Sequence, residues 1–163
     1  MVTLRAIERE DLTCLRNWRN ELIDNFRQHK FLNMRDQDLW WKRITDDPYT
    51  EMFGICYTTL LIGVCGLCYI DWVSRHAEVS VYIGDPEHRG VGSALEALMA
   101  LRDKAFNEFN LHRLWAEIYG FNQASVRLFE RAGYSHEGTL KESHFAKGRY
   151  WDSHIYGLVR SVA

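Results

Sequence analysis

From Glu78 to Ile83 the side chains alternate strictly between polar and apolar, and the strand this implies runs into Gly84, Asp85 and Pro86, a strong chain-reversal signal. Directly after it come Arg89-Gly90-Val91-Gly92-Ser93-Ala94 and a long segment in which Leu95, Leu98, Met99, Leu101, Arg102 and Ala105 keep helical spacing, with Asn110 as a stop signal. A period of two giving way to a period of 3.6 across a glycine-rich connection specifies a strand, a tight turn and a helix packed on the strand's sheet. That unit calls for an α/β chain, with a sheet flanked by helices.

The rest of the chain extends the unit on both sides. Thr3 to Ile7 reads as a strand, and Leu12, Leu15, Trp18 and Leu22 give an amphipathic helix from Asp11. Asp36 is a suitable N-cap for a second helix carrying Leu39, Trp40 and Ile44 and ending near Asp46, Asp47 and Pro48. Met52 to Tyr57 and Leu60 to Ile70 form a hairpin pair around Thr58 and Thr59, followed by a polar connection from Trp72 to Arg75. A strand from Arg113 to Tyr119 precedes a helix capped by Asn122, whose apolar positions Val126, Leu128 and Phe129 lead to Gly133. Two strands, Ser135 to Phe145 and Arg149 to Val159, close the chain around Lys147 and Gly148. The predicted order is β-α-α-β-β-β-α-β-α-β-β. At 163 residues with no linker, repeat or low-complexity stretch, residues 1–163 are expected to form one domain.

Composition removes several function classes. Hydrophobic residues at 47% and charged residues at 26% fit a globular chain and exclude disorder. A formal charge of −2 gives no reason to expect nucleic acid or an anionic membrane. The charged start, Met1 to Asp11, and the lack of a long apolar run point to a cytoplasmic protein. Cys65 and Cys68 have a C-x-x-C spacing, but positions i and i+3 of a strand face opposite ways, so they read as buried free thiols. The seven histidines form no ligand-spaced cluster, and no metal is predicted.

In the segment Arg89 to Ala94 several amides can point together at an anion, glycines let the backbone approach it, and the helix N-terminus supplies unsatisfied N–H groups. This is a pyrophosphate cradle in outline. A Walker loop lacks its Gly-Lys-Ser/Thr ending here, and a dinucleotide fingerprint starting at Gly90 would put its third glycine where Leu95 stands. A bare tight turn is the simpler reading of a lone G-x-G. The surroundings argue for more: Arg89, Gly92 and Ala94 match the signature of the GNAT superfamily of acyl-CoA-dependent N-acetyltransferases, which the chain resembles. The run Asn122-Gln123-Ala124-Ser125-Val126-Arg127-Leu128-Phe129-Glu130-Arg131-Ala132-Gly133-Tyr134 resembles the Asn-initiated helix and Gly-aromatic ending of that family. Segments Arg75 to Glu78, Asn110 to Leu114 and His136 to Gly138 look like the branch of spermidine and ribosomal-protein N-terminal acetyltransferases.

The resemblance implies a GNAT-like fold with a mixed, mostly antiparallel central sheet, and acetyl-CoA as co-substrate. Arg89, Gly90, Val91, Gly92, Ser93 and Ala94 would hold the CoA pyrophosphate, with Val81 and Ile83 along the pantetheine and Asn122, Ser125 and Phe129 by the cofactor arm. Asn122 can equally serve as a helix N-cap, and the two roles are compatible. Family members usually carry a tyrosine, the proposed acid for the departing thiolate, where this chain has Phe129.

An alkylamine with a pKa near 10 is only about 0.1% neutral at pH 7, so amine acetylation profits from a base. Glu78 shares strand parity with Ser80 and Tyr82, and Glu117 with Trp115 and Tyr119, so both carboxylates can face one cleft as catalytic candidates, or be solvated residues of a polar sheet face. Were they buried together, like-charge proximity would raise one pKa into a useful range. Acceptor selection falls to the N-terminal helices, with Trp18, Arg19, Asn20, Gln28 and His29 as substrate-binding candidates, although Trp18 also suits a packing role. Trp18-Arg19-Asn20 looks like the acetyltransferases of nucleotide-linked amino sugars, which makes that acceptor the leading expectation. A protein N-terminus, a polyamine, and a non-catalytic acyl-CoA-binding module are the alternatives. Exposed edge strands leave room for a homodimer.

Overall fold

The computed structural model describes residues 1–161. Its elements are β1 (Val2–Ala6), α1 (Leu12–Glu21), α2 (Met34–Asp46), β2 (Glu51–Tyr57), β3 (Leu60–Asp71), β4 (His76–Ile83), α3 (Ser93–Asn107), β5 (Arg113–Tyr119), α4 (Gln123–Arg131), β6 (Ser135–Ala146) and β7 (Arg149–Val159), with short 3-10 turns at Arg9–Asp11, Ile23–Asn25 and Pro86–His88. The order of helices and strands is the one the periodicities predict. One seven-stranded sheet runs β1-β2-β3-β4-β5-β7-β6. Every neighbouring pair is antiparallel except β4 and β5, which are parallel because α3 carries the chain over the sheet between them.

The buried face of α3, with Ala97, Leu98, Leu101 and Ala105, packs in one cluster with Ile55, Leu67, Ala77, Val79, Leu114 and Ala116 from the central strands. Those inward residues occupy alternate strand positions, which fixes the register. Cys65 lies in this core and its thiol is pushed up to about 12 by burial. Cys68 faces the other side of the sheet, as the strand parity requires, and is half-buried. Among the described residues no group of His, Cys, Asp and Glu is arranged to hold a metal ion.

The N-cap of α2 is Asn33, not Asp36: the Asn33 side chain accepts from the Asp36 N–H, and the Asp36 carboxylate accepts from the Asn33 N–H. Asp36 is thus the second half of a capping box, in which both residue types satisfy orphan N–H groups. β6 is irregular, with register shifts between His136 and Gly138 and between Leu140 and His144. Across these bulges His136 and His144 lie in separate surroundings: His136 beside His154 and Tyr156, His144 stacked on Tyr119.

Candidate active site

β4 and β5 pair only through His76, Ala77 and Glu78 against Arg113, Leu114 and Trp115. Beyond that point β4 continues bonded to β3 alone and β5 to β7 alone, so the strands diverge and leave a wedge in the sheet. The β5-facing edge of residues 79–83 therefore has no partner strand, and an extended chain of amides can pair with it. Val81 and Ile83 offer the wedge chiefly this backbone edge, because Ile83 is buried in the core and Val81 packs against it.

At the mouth of the wedge, Gly90 and Gly92 adopt φ of +73° and +97°, and a Cβ at either would meet open space. Their conformation, rather than crowding, is what selects glycine. Gly92 caps α3 with no side chain covering its first turn. Among the described residues the N–H groups of residues 90–94 find no acceptor, and the first bond of the helix runs from Glu96 N–H to the Gly92 carbonyl. A row of free amides on a helix N-terminus fits a diphosphate. The Arg89 side chain turns away from this nest: its guanidinium donates to the carbonyls of Ile83, at 3.0 Å, and Gly84, strapping the end of β4 to the loop. Arg89 is therefore a positioning residue whose own contribution to the nest is backbone.

On α4, Asn122 accepts the Ser125 N–H at 3.1 Å, the N-cap role in full. Phe129 is 3% exposed and meets Tyr134 edge-on at 5.0 Å, so its ring is mostly spent on the core. The Tyr134 hydroxyl is buried without a partner, and burial raises its pKa. Tyr119, whose pKa burial also raises, stays a phenol at neutral pH and lies on the strand that carries Glu117.

Glu78 and Glu117 do come together, but not as a like-charge pair. Arg27, from the segment between α1 and α2, reaches across and donates from Nη1 and Nη2 to the two oxygens of Glu78 at 3.0 and 2.7 Å, and from Nη2 to Glu117 Oε2 at 2.7 Å. The carboxylates' side chains are 10% and 17% exposed. The expected mutual repulsion is replaced by a shared cation, and the bonds to Glu78 foremost raise the Arg27 pKa further. Both oxygens of Glu78 are engaged, whereas Glu117 keeps one oxygen free. No local sequence pattern announces Arg27; it lies 51 and 90 positions from its partners.

Arg27 also lines a cavity of about 510 Å³ bounded by α1, the 27–32 segment, α2 and the sheet, a size that suits a small molecule. Of the acceptor-binding candidates, Arg19, Gln28 and His29 line it. Trp18 and Asn20 do not. Trp18 lies flat on Gly84, where an added Cβ would come within 1.9 Å of the indole. Asn20 holds the 28–32 segment through bonds with both backbone groups of Leu32, at 2.7 and 2.9 Å, and with Gln28 at 3.0 Å. Both position the cavity wall. Lys30, Asp36, Gln37 and Arg43 also line the cavity; the sequence marks Asp36 only as a helix cap and does not single out the other three.

Residues 1–135 match the acetyltransferase (GNAT) domain family. The spermidine N(1)-acetyltransferase of Vibrio cholerae is 31% identical over 93% of this chain and 88% of its own length. An uncharacterized N-acetyltransferase, p20, of Bacillus licheniformis is 34% identical over 98% of this chain and 93% of its own. Among solved structures, spermidine N-acetyltransferase from Vibrio cholerae in complex with CoA and spermine superposes with a TM-score of 0.90 at 28% identity, covering 97% of this chain and 95% of the other.

Proposed function

This chain belongs to the GNAT acetyltransferase family and is an acetyl-CoA-dependent N-acetyltransferase, and we propose that it acts on the primary amine of a small molecule, with Glu117 taking the amine's proton. Acetyl-CoA supplies an activated acyl carbon: the nitrogen–carbon bond forms as the carbon–sulfur bond breaks. The chain's contribution starts with the nest of residues 90–94, which suits the diphosphate, and the free edge of β4, which suits the pantetheine amides.

The single observation behind the role of Glu117 is its free oxygen. Glu78 gives both oxygens to Arg27, while Glu117 gives one and retains another to accept a proton directly or through water. Glu78 then acts as the anchor of Arg27. With phenylalanine at position 129, the sulfur leaves as thiolate and takes its proton from solvent or from the Tyr119 phenol. Expelling a thiolate at pH 7 costs only about 2 kcal/mol relative to the thiol, so the missing tyrosine is tolerable.

The relatives named for spermidine support a polyamine acceptor. The amino-sugar nucleotide expectation draws support from the cations of the cavity instead. Release of CoA thiol in the presence of spermidine, an amino-sugar nucleotide or a peptide N-terminus tests the proposal. Turnover should be confined to the small amines, and Glu117→Gln should lower kcat by about 100-fold or more while flattening the alkaline-rising limb of the pH profile. Tight CoA binding without turnover of any amine would favour a binding module, and an unaltered profile in Glu117→Gln would remove it as the base.

A further inference from the structure

The charges around the cavity are unevenly paired. Lys30 is matched by Asp36 at 2.9 Å, and Arg27 by Glu78 and Glu117. Arg19 and Arg43 have no carboxylate partner among the described residues. Arg19 is half-buried; its Nε meets the neutral Gln28 Oε1 at a long 3.3 Å and its guanidinium lies 3.9 Å over the Phe26 ring. A guanidinium cannot discharge itself by losing a proton, so desolvating it without a counter-ion is costly. Burial indeed lowers its pKa, and nearby Arg43 lowers it further. Arg27 lines the same cavity, so three guanidinium groups border it.

A neutral group adds an independent sign. Gln37 is 2% exposed and lines the same cavity, yet its side-chain amide makes no hydrogen bond among the described residues. Its amide atoms stay within reach of solvent from the cavity, so a ligand seated there can meet them. Two unpaired guanidinium groups and a free carboxamide donor suit an oxyanion, which accepts from all three. A trivalent polyamine would instead confront Arg19 and Arg43 with no free carboxylate beyond the one Glu117 oxygen.

We propose that Arg19, Arg43 and Gln37 form an oxyanion subsite, so that the acceptor is an amine that also carries a phosphate or carboxylate, its amine placed by Glu117 and its anion seated in the cavity. This rests on the transferase reading above and specifies its substrate class. The test is calorimetry on the whole protein in two stages. CoA is titrated first, to fill the diphosphate nest, and then inorganic pyrophosphate, succinate and spermidine are titrated separately into the CoA-saturated protein. Pyrophosphate or succinate should bind, the better of the two naming the anion. Arg19→Gln and Arg43→Gln should each weaken that binding about 10- to 100-fold, the scale of losing a charge-assisted contact. Arg43 is exposed on α2, so its variant keeps the test open if the Arg19 variant fails to fold. Anion binding that both variants leave unaltered, no anion binding at all, or spermidine binding to the parent protein more tightly than either anion would each overturn the subsite. An absence of heat in the CoA stage would strike the transferase reading alone, since the anion stage still reports on Arg19 and Arg43.

Discussion

Replacing Arg27 by methionine isolates what one guanidinium does for two carboxylates. Glu78 Oε1 and Glu117 Oε2 each lie 2.7 Å from the same nitrogen, so the two oxygens are at most about 5.4 Å apart. Two unit charges at that separation repel by about 3 kcal/mol at an effective dielectric of 20. Arg27 is half-exposed and water replaces part of its screening, which reduces the net effect to about 1–2 kcal/mol. Repulsion of that size favours a folded state in which only one of the two carboxyls is charged. A carboxyl raised in the folded state costs stability only once it must ionise. The variant should therefore resemble the parent near pH 4 and fall behind by about 1–2 kcal/mol as the pH climbs past 6. Urea unfolding at a series of pH values, with a carboxyl-stretch infrared titration alongside, reads both quantities. A variant equally destabilised at every pH, or with an infrared spectrum of the carboxyls unaltered from its parent's, would refute the view that Arg27 relieves the repulsion between the pair.

Two further perturbations probe separate parts of the molecule. Arg5 donates to both oxygens of Asp11, at 2.7 and 2.9 Å, and those bonds foremost keep the Asp11 carboxyl below its ordinary value. The stability this supplies is present above about pH 4 and disappears as the pH falls through the depressed value; Asp11→Asn should cost about 1–2 kcal/mol at pH 7, with Arg5 partly solvated, and the gap to the parent should close on acid titration of the melting temperature. At Gly92 the φ of +97° penalises any side chain although the space around it is open. Gly92→Ala should lose about 1–2 kcal/mol of stability and weaken CoA measurably by calorimetry, and an unaltered CoA affinity would separate the nest from the cofactor.

How far the sequence reveals this molecule depends on the range over which each feature is decided. β5 and β7 appear at their predicted bounds because strand alternation and the Lys147-Gly148 turn are local. The backbone nest at the start of α3 is legible for the same reason, its glycines and free amides lying within six consecutive residues. The cap of α2 was misplaced because Asn33 and Asp36 are both good caps and only the geometry tells which bonds first. The bulges of β6 insert residues that no periodicity records. Arg27, Gln37 and Arg43 were missed altogether. Charged and amide side chains on a loop and a helix surface read as solvated, and what distinguishes these three is whom they meet, or fail to meet, after the chain has folded.

The wedge between β4 and β5 has a mechanical side. Among the described residues, the strand ladder between the four strands on one flank of the sheet and the three on the other consists of three residue pairs. The sheet's own ladder is thinnest here, and a thioester whose amides ladder onto the exposed edge of β4 would act as a borrowed eighth strand, stitching the flanks together. The protein's resistance to heat and to amide exchange at that seam would then rise with the supply of its own co-substrate.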